Sequence, residues 1–211
     1  ANPWFALYLG LMFPMAIMSD GIVYIPNREM LVSLDEMHRV IREYNIEHCF
    51  MSPSYLLNYC DNYDKHNLKL VYTSGDKLRL KKYPGFDVMT QYGQTEAAGP
   101  IARVILKTQE DWNRLSTQKG SILGRPILNL QAYILDNEGN LLEPTKTGQI
   151  CVCGPQIGPG YVGMPELNAQ KFIKTDYSDY LMLMTGDTGY MDEDGILFMT
   201  GQSSTVININ G

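Results

Sequence analysis

The first half of the chain alternates between two hydrophobic patterns. From Ser33 to Tyr44, apolar residues recur every three or four positions, which predicts an amphipathic helix with Ser33 as its N-cap and Glu36 three residues later. A second helix is predicted to begin at Ser52-Pro53, because serine favours the cap position and proline the first turn. The remaining runs predict strands at residues 21–26, 46–50, 68–73 and 86–90 and a short helix at residues 77–83.

Strands separated by helices favour a parallel sheet with helices packed on it. The pattern changes at about residue 119, beyond which glycine and proline interrupt short β-like runs at residues 131–135, 149–153 and 196–199. We therefore predict an α/β fold with two parts. A parallel sheet covered by helices would span residues 1–118, and a small, mostly β subdomain of barrel-like form would span residues 119–211.

The composition fits a globular protein and excludes several classes of function. The chain has 211 residues, 45% of them hydrophobic, and a formal net charge of −6. A nucleic-acid-binding protein would show a basic stripe, so we expect no nucleic-acid partner. No apolar run reaches the roughly 18 residues that a bilayer span needs, so we expect no membrane partner. The four cysteines lack metal-ligand spacing, which favours reduced thiols in a cytoplasmic protein.

The segment from Met89 to Glu96 is the first candidate site. It is an apolar run that reaches Gly93, whose missing Cβ lets the backbone approach a ligand, at the strand end where α/β sheets bind ligands. Tyr92 offers a flat face for a purine, Thr95 a hydroxyl for a phosphate oxygen, and Glu96 an oxygen ligand for Mg²⁺. Taken alone, the same residues are as typical of a turn that ends a strand.

A second candidate lies about ninety residues later, where an apolar run ends in Thr185-Gly186-Asp187. An ionised aspartate accepts hydrogen bonds from two neighbouring hydroxyls, which is what binding of a ribose requires. A simple turn aspartate is the alternative at this position. Together, the two segments indicate a nucleotide site.

The segment from Gly154 to Phe172 makes the pattern specific. It resembles the G-P-x-x-x-x-G-Y-x-x-x-P-E-L-x-x-x-x-F segment of the adenylate-forming superfamily, and the motifs before and after it come in that superfamily's order. The chain is most similar to adenylation domains of nonribosomal peptide synthetases and to D-alanine–carrier-protein ligases. The resemblance extends over nearly the whole chain.

The resemblance implies a role for each matching residue. Tyr92 would stack on adenine, Asp187 would bind the ribose hydroxyls, and Ser74-Gly75-Asp76 would lie along the other face of the base. Thr95, at the α-phosphate, and Glu96, at Mg²⁺, would be the catalytic residues. The acid substrate would bind in a pocket lined by Phe50, Tyr72, Ser74, Gln91, Gly99 and Pro100.

The implied reaction joins a carboxylic or amino acid to ATP, which gives an acyl-adenylate and pyrophosphate. The acyl group would then pass to the phosphopantetheine thiol of a carrier protein. In the family, a phosphate loop precedes the segment that matches Ala1, and a lid with a catalytic lysine follows the segment that matches Gly211. We therefore expect a fragment that needs the remaining adenylation-domain segments and does not complete catalysis alone.

Three positions depart from the family pattern. Ala6 stands where amino-acid-activating members have an aspartate for the substrate ammonium, and Gln202 and Ser204 replace an arginine and a hinge aspartate. These replacements favour a degenerate, non-catalytic scaffold domain as an alternative. An acyl-CoA ligase is a second alternative, because Tyr-Gly-Gln-Thr-Glu matches that class equally well.

Overall fold

Ten strands form one hydrogen-bonded sheet in the computed structural model of the chain, which describes residues 13–27, 32–64, 66–75, 78–80, 82–116 and 118–202. The strands are β1 (His48–Phe50), β2 (Leu70–Thr73), β3 (Asp87–Gln94), β4 (Gly99–Leu106), β5 (Ser121–Pro126), β6 (Gln131–Leu135), β7 (Gly148–Cys153), β8 (Phe172–Thr175), β9 (Ser178–Met191) and β10 (Leu197–Gln202). Their order is β1-β2-β3-β4-β5-β10-β9-β7-β6, and β8 pairs with β9.

The helices are short and lie mostly in the first half. They are α1 (Phe13–Met18), α2 (Leu34–Glu43), α3 (Pro53–Asn62), α4 (Gln109–Ser116) and α5 (Pro165–Lys171). The predicted N-cap of α2 is present, since the Ser33 hydroxyl accepts a hydrogen bond from the Glu36 amide at 3.3 Å. Pro53 occupies the first turn of α3, as its sequence predicts.

The sheet is parallel only at one end. β1, β2 and β3 pair in parallel, and all the other pairings are antiparallel, so the chain has a mixed α/β fold. On one face of β2 and β3, Val71 and Val88 pack with buried residues from α2 to α4, including Ile41, Leu56 and Trp112. This packing fixes the end of β3 from which the candidate site begins.

Some predicted elements are wrong. Residues 21–26 form no strand, and the described part of residues 77–83 is not helical. Helix α4 was not predicted from the sequence. β5 pairs both with β4 and with β10, so the path of strands continues across residue 118. The division at residue 118 and the barrel-like form of the second part remain predictions.

Within the described ranges, no helix has the length and apolar character needed to cross a membrane. The four cysteines are free thiols, and Cys151 and Cys153 are buried.

Candidate functional site

A tight turn carries Thr95 and Glu96 at the end of β3. The two residues begin a 3₁₀ turn (Thr95–Ala97), after which Ala98 adopts a left-handed backbone with φ of 53° and β4 returns beside β3. The strands approach so closely that a Cβ added to Gly93 would lie 2.4 Å from the Gly99 carbonyl oxygen. Only glycine fits there, because the added atom would meet the backbone of β4. The approach of a ligand to Gly93, which the sequence suggested, stays a prediction.

Tyr92 and Asp187 contact each other directly. The Tyr92 hydroxyl donates a hydrogen bond to Asp187 Oδ2 at 2.5 Å, and the Gln94 side-chain amide donates to the same oxygen at 3.0 Å. Burial raises the pKa of Tyr92, and the hydrogen bond to Asp187 raises it further, so the phenol stays protonated and acts as a donor. The structure therefore brings together two residues that the sequence assigned to one nucleotide site.

The backbone around Asp187 is held by a buried threonine. The Thr185 hydroxyl donates to the Ile150 carbonyl of β7 at 2.7 Å and accepts from the Asp187 amide at 3.1 Å. Asp187 is only 4% exposed, and no described residue donates to its Oδ1. The two hydrogen bonds to Oδ2 orient the Asp187 carboxylate, and Oδ1 remains able to accept a hydrogen bond.

Glu96 lies at a cleft of about 200 Å³ lined by Thr95, Glu96, Gly158, Gly160, Tyr161 and Phe172. The Tyr161 hydroxyl donates to Glu96 Oε1, and Oε2 has no hydrogen-bond partner among the described residues. Among all the described residues, no group of three or more His, Cys, Asp or Glu side chains could hold a metal. A lone carboxylate fits Mg²⁺, which takes one or two carboxylates plus substrate phosphates.

Three of the predicted pocket residues share one face of the sheet. Phe50 pairs with Tyr72 across β1 and β2, and Gln91 lies two residues after the partner of Tyr72 on β3, so the period of two puts all three on one side. Phe50 and Tyr72 line a groove of about 1260 Å³. Gln91 is 7% exposed, and its side-chain nitrogen has no hydrogen-bond partner among the described residues.

The other predicted residues lie near the same end of the sheet or outside the described part. Ser74 and Gly75 follow Thr73, which pairs with Thr90, so they come to the end of the sheet that carries Tyr92. Gly99 and Pro100 begin β4, opposite Gln94 and Gly93. Asp76, Ala6 and Ser204 lie outside the described residues.

Sequence reasoning missed four residues that hold the site together: Gln94, Gln156, Tyr161 and Asn168. Gln94 lies within the Tyr-Gly-Gln-Thr-Glu segment, but the resemblance gave it no role of its own. The available signal was its separation of two from Tyr92 along a strand, because such residues share a face. Tyr161 is a fixed position of the Gly154–Phe172 motif, but its contacts and those of Asn168 depend on tertiary structure and could not be read from the motif.

The fold and the site together describe an α/β protein with a candidate nucleotide site at the end of its parallel strands. The family model of the AMP-binding enzymes matches residues 2–162, and the chain belongs to that family.

Curated relatives include large synthetases and smaller ligases. The chain is 26% identical over 208 residues to bacitracin synthase 1 of Bacillus licheniformis, which covers 98% of this chain and 4% of the synthase. It is 31% identical over 143 residues to the D-alanine–D-alanyl carrier protein ligase of Streptococcus pneumoniae, covering 68% of this chain and 26% of the ligase. The chain thus spans a small part of the curated relatives that it matches.

A solved structure supports the fold. The N-terminal subdomain of Klebsiella oxytoca NpsA, in complex with 3-hydroxybenzoyl-AMSN, aligns with a TM-score of 0.74 at 19% identity, over 96% of this chain and 53% of that chain. At this identity the likeness concerns the fold alone, and it agrees with the mixed α/β architecture described above.

Proposed function

We propose that the chain is part of an adenylation domain that activates a carboxylic acid, in our primary assignment an amino acid, with ATP. The observation that carries the proposal is the Tyr92–Asp187 hydrogen bond at 2.5 Å, which joins two motifs 95 positions apart at one strand end. A structural turn would not require these two motifs to meet. A nucleotide site does, because base and ribose are covalently linked.

Each part of the nucleotide has a candidate partner. The Tyr92 ring faces adenine, with Ser74, Gly75 and Asp76 on the other side of the base, and Asp187 Oδ1 accepts from the ribose hydroxyls. Thr95 donates its hydroxyl to the α-phosphate. Glu96 holds Mg²⁺ together with the phosphates, and the ion supplies neutralisation of phosphate charge.

The first step forms one bond and breaks one. A carboxylate oxygen of the acid bonds to the α-phosphorus, while the bond from that phosphorus to the oxygen bridging to the β-phosphate breaks and pyrophosphate leaves. No protein nucleophile is needed, so the residues act by positioning and by electrostatic stabilisation. In the second step a carrier-protein thiol attacks the acyl carbon and AMP leaves.

The acid lies on the sheet face that bears Phe50, Tyr72 and Gln91, with Ser74, Gly99 and Pro100 at its edge. The Gln91 side-chain nitrogen, for which the described residues offer no acceptor, supports this placement, since a buried donor without a partner is costly unless a ligand supplies the acceptor. An acid with a polar group in its side chain would complete that hydrogen bond.

The names of two relatives support a carrier protein as the acyl acceptor. One relative is named for a D-alanyl carrier protein, and NpsA has been solved as an artificial adenylation–PCP fusion with ThdA, to which this chain aligns with a TM-score of 0.69 at 20% identity. We propose a carrier protein as the acyl acceptor and a cytoplasmic location. We also propose that the 211-residue chain needs further adenylation-domain segments for turnover.

The test is ATP–pyrophosphate exchange on the longest native protein that contains this sequence, with a panel of amino, hydroxy, aryl and fatty acids. We expect exchange with one class of acid and its loss in Asp187→Ala. Exchange followed by loading of coenzyme A instead of a carrier protein would favour an acyl-CoA ligase. Absence of exchange with every acid would overturn the enzymatic proposal.

A non-catalytic scaffold is the second candidate, and one position favours it. Gln202, which replaces the family's arginine, pairs across the strands with Asp187, so a neutral side chain stands beside the proposed ribose site. Nucleotide binding without exchange for any acid would support this candidate.

A further inference from the structure

The loop from Gly154 to Tyr161, here called the clasp loop, holds the turn that carries Glu96. The Gln156 side-chain amide donates to the carbonyls of Ala97 and Pro100, each at 2.8 Å. The Gly158 amide donates to the Glu96 carbonyl at 3.2 Å. The backbone of the turn is thus fixed by a loop about sixty residues away in sequence.

The end of the clasp loop also holds the Glu96 side chain. The Tyr161 hydroxyl donates to Glu96 Oε1, and the Tyr161 ring packs edge-on against Phe172, with ring centroids 5.6 Å apart. A phenol carries its proton at neutral pH and therefore donates to the carboxylate, and such a hydrogen bond is one of the stronger kinds.

Tyr161 is itself held by Asn168 of α5. Asn168 Oδ1 accepts from the Tyr161 amide at 2.7 Å, and Asn168 Nδ2 donates to the Tyr161 carbonyl at 2.8 Å. A Cβ added to Gly160 would lie 2.6 Å from Asn168 Oδ1, so this close contact requires glycine. Both polar groups of the Tyr161 backbone are satisfied by one side chain, which fixes the direction of the phenol.

We propose that Tyr161 is a positioning residue that holds Oε1 of Glu96 and leaves Oε2 as the oxygen that binds, and that Asn168 positions Tyr161. This inference rests on the proposed function, in which Glu96 holds the metal of the metal–nucleotide complex. A carboxylate held by one oxygen loses less rotamer freedom when its other oxygen binds. Tyr161 thereby contributes to metal–nucleotide affinity without touching the nucleotide.

The test is calorimetric titration of the longest native protein with a non-hydrolysable ATP analogue, once with Mg²⁺ and once with EDTA. For Tyr161→Phe, which keeps the ring on Phe172, we expect roughly tenfold weaker binding with Mg²⁺ and unchanged binding with EDTA. Asn168→Leu should shift the Mg²⁺ titration in the same direction. Tyr133→Phe removes a hydroxyl that contacts Gln131 and the Tyr177 carbonyl, away from the cleft, and should change neither titration.

A double-mutant cycle separates this inference from the function on which it rests. If Tyr161 acts through Glu96, then Tyr161→Phe should have no further effect in a Glu96→Gln background. Equal losses with and without Mg²⁺, or additive losses in the cycle, would overturn the positioning role and leave the proposed function intact. If Glu96→Gln itself does not change the Mg²⁺ dependence, the metal-binding role of Glu96 fails and the inference fails with it.

Discussion

Tyr92 and Asp187, 95 positions apart in the sequence, share a hydrogen bond of 2.5 Å that joins strand β3 to strand β9. Gln94 completes the arrangement, because its amide nitrogen lies 3.0 Å from both Asp187 Oδ2 and the Thr185 carbonyl. These hydrogen bonds connect the segment that contains Tyr92 to the segment that contains Asp187. It also leaves Asp187 Oδ1 as the acceptor that a ribose would meet.

Gln94→Leu should weaken ATP binding by roughly fivefold to tenfold, because it removes one of the two donors that orient the Asp187 carboxylate. The effect should depend on the ribose hydroxyls. Calorimetry with ATP and with 2′,3′-dideoxy-ATP measures this directly, since the variant and the wild type should bind the dideoxy nucleotide with similar affinity.

Gln131→Leu is the matched control for Gln94→Leu, because Gln131 is an exposed glutamine on β6, away from the Tyr92–Asp187 contact. If Gln94→Leu lost equal affinity for both nucleotides, the result would contradict the idea that Gln94 acts through the ribose hydroxyls. It would point instead to a general disturbance of β3.

Gly93→Ala should lower the free energy of unfolding by about 2–3 kcal/mol, because the new methyl group would stand 2.4 Å from the Gly99 carbonyl oxygen and β4 would have to move. Urea denaturation of the 211-residue chain, compared side by side with the wild type, is the measurement.

Gly158→Ala provides the comparison for Gly93→Ala. Its added Cβ would meet only the Glu96 carbonyl oxygen, at an ordinary contact distance of 3.6 Å. We expect a change within about 0.5 kcal/mol there. A change at Gly93 as small as the one expected at Gly158 would mean that β3 and β4 accommodate a methyl group more easily than their spacing indicates.

Much of the site could be predicted from sequence because its chemistry is local. Gly93, Thr95 and Glu96 lie in one short segment, although the sequence suggested a ligand beside Gly93 and the structure shows the backbone of β4 there. The N-cap of α2 was predictable for the same reason, since Ser33 and Glu36 are three residues apart.

The parts that could not be predicted depend on contacts between distant segments. Helix α4 has a polar sequence, and its place depends on burial of Trp112 against strands β2 and β3. The Tyr161–Glu96 contact joins residues 65 positions apart, so no period in the sequence reveals it. Residues 21–26 have strand propensity but pair with no strand in the part of the chain that the structure describes, and tertiary context overrides such propensity.

Gln91→Leu should leave the free energy of unfolding unchanged or raise it by about 1 kcal/mol, because it removes a buried amide nitrogen that has no partner among the described residues. The same change should raise the KM for the acid in the exchange assay, since the proposed ligand of that nitrogen is the acid. Urea denaturation should therefore show stability kept or gained, while the KM series shows that affinity for the acid falls.

Thr185→Val should lower the free energy of unfolding and serves as the control for Gln91→Leu. The Thr185 hydroxyl is satisfied by the Ile150 carbonyl and the Asp187 amide, so its loss should cost about 1–3 kcal/mol of unfolding free energy. A loss of stability in Gln91→Leu as large as that in Thr185→Val would show that Gln91 is a structural residue.

Gln202→Arg should tighten ATP binding by roughly fivefold at low salt, because cross-strand partners share a face and the new cation would stand beside Asp187, where the family places an arginine. Salt should reduce the gain in affinity, since position 202 is exposed and the interactions of a charge there are screened.

Calorimetry with ATP, AMP and adenosine tests the origin of this effect of Gln202→Arg: the gain should be largest for ATP and absent for adenosine. Gln202→Leu, which changes the side chain without adding charge, should show no gain. Weaker binding of all three ligands would indicate that the arginine pairs with Asp187 and closes the ribose site. That result would contradict the expectation that the new cation attracts the phosphates of ATP.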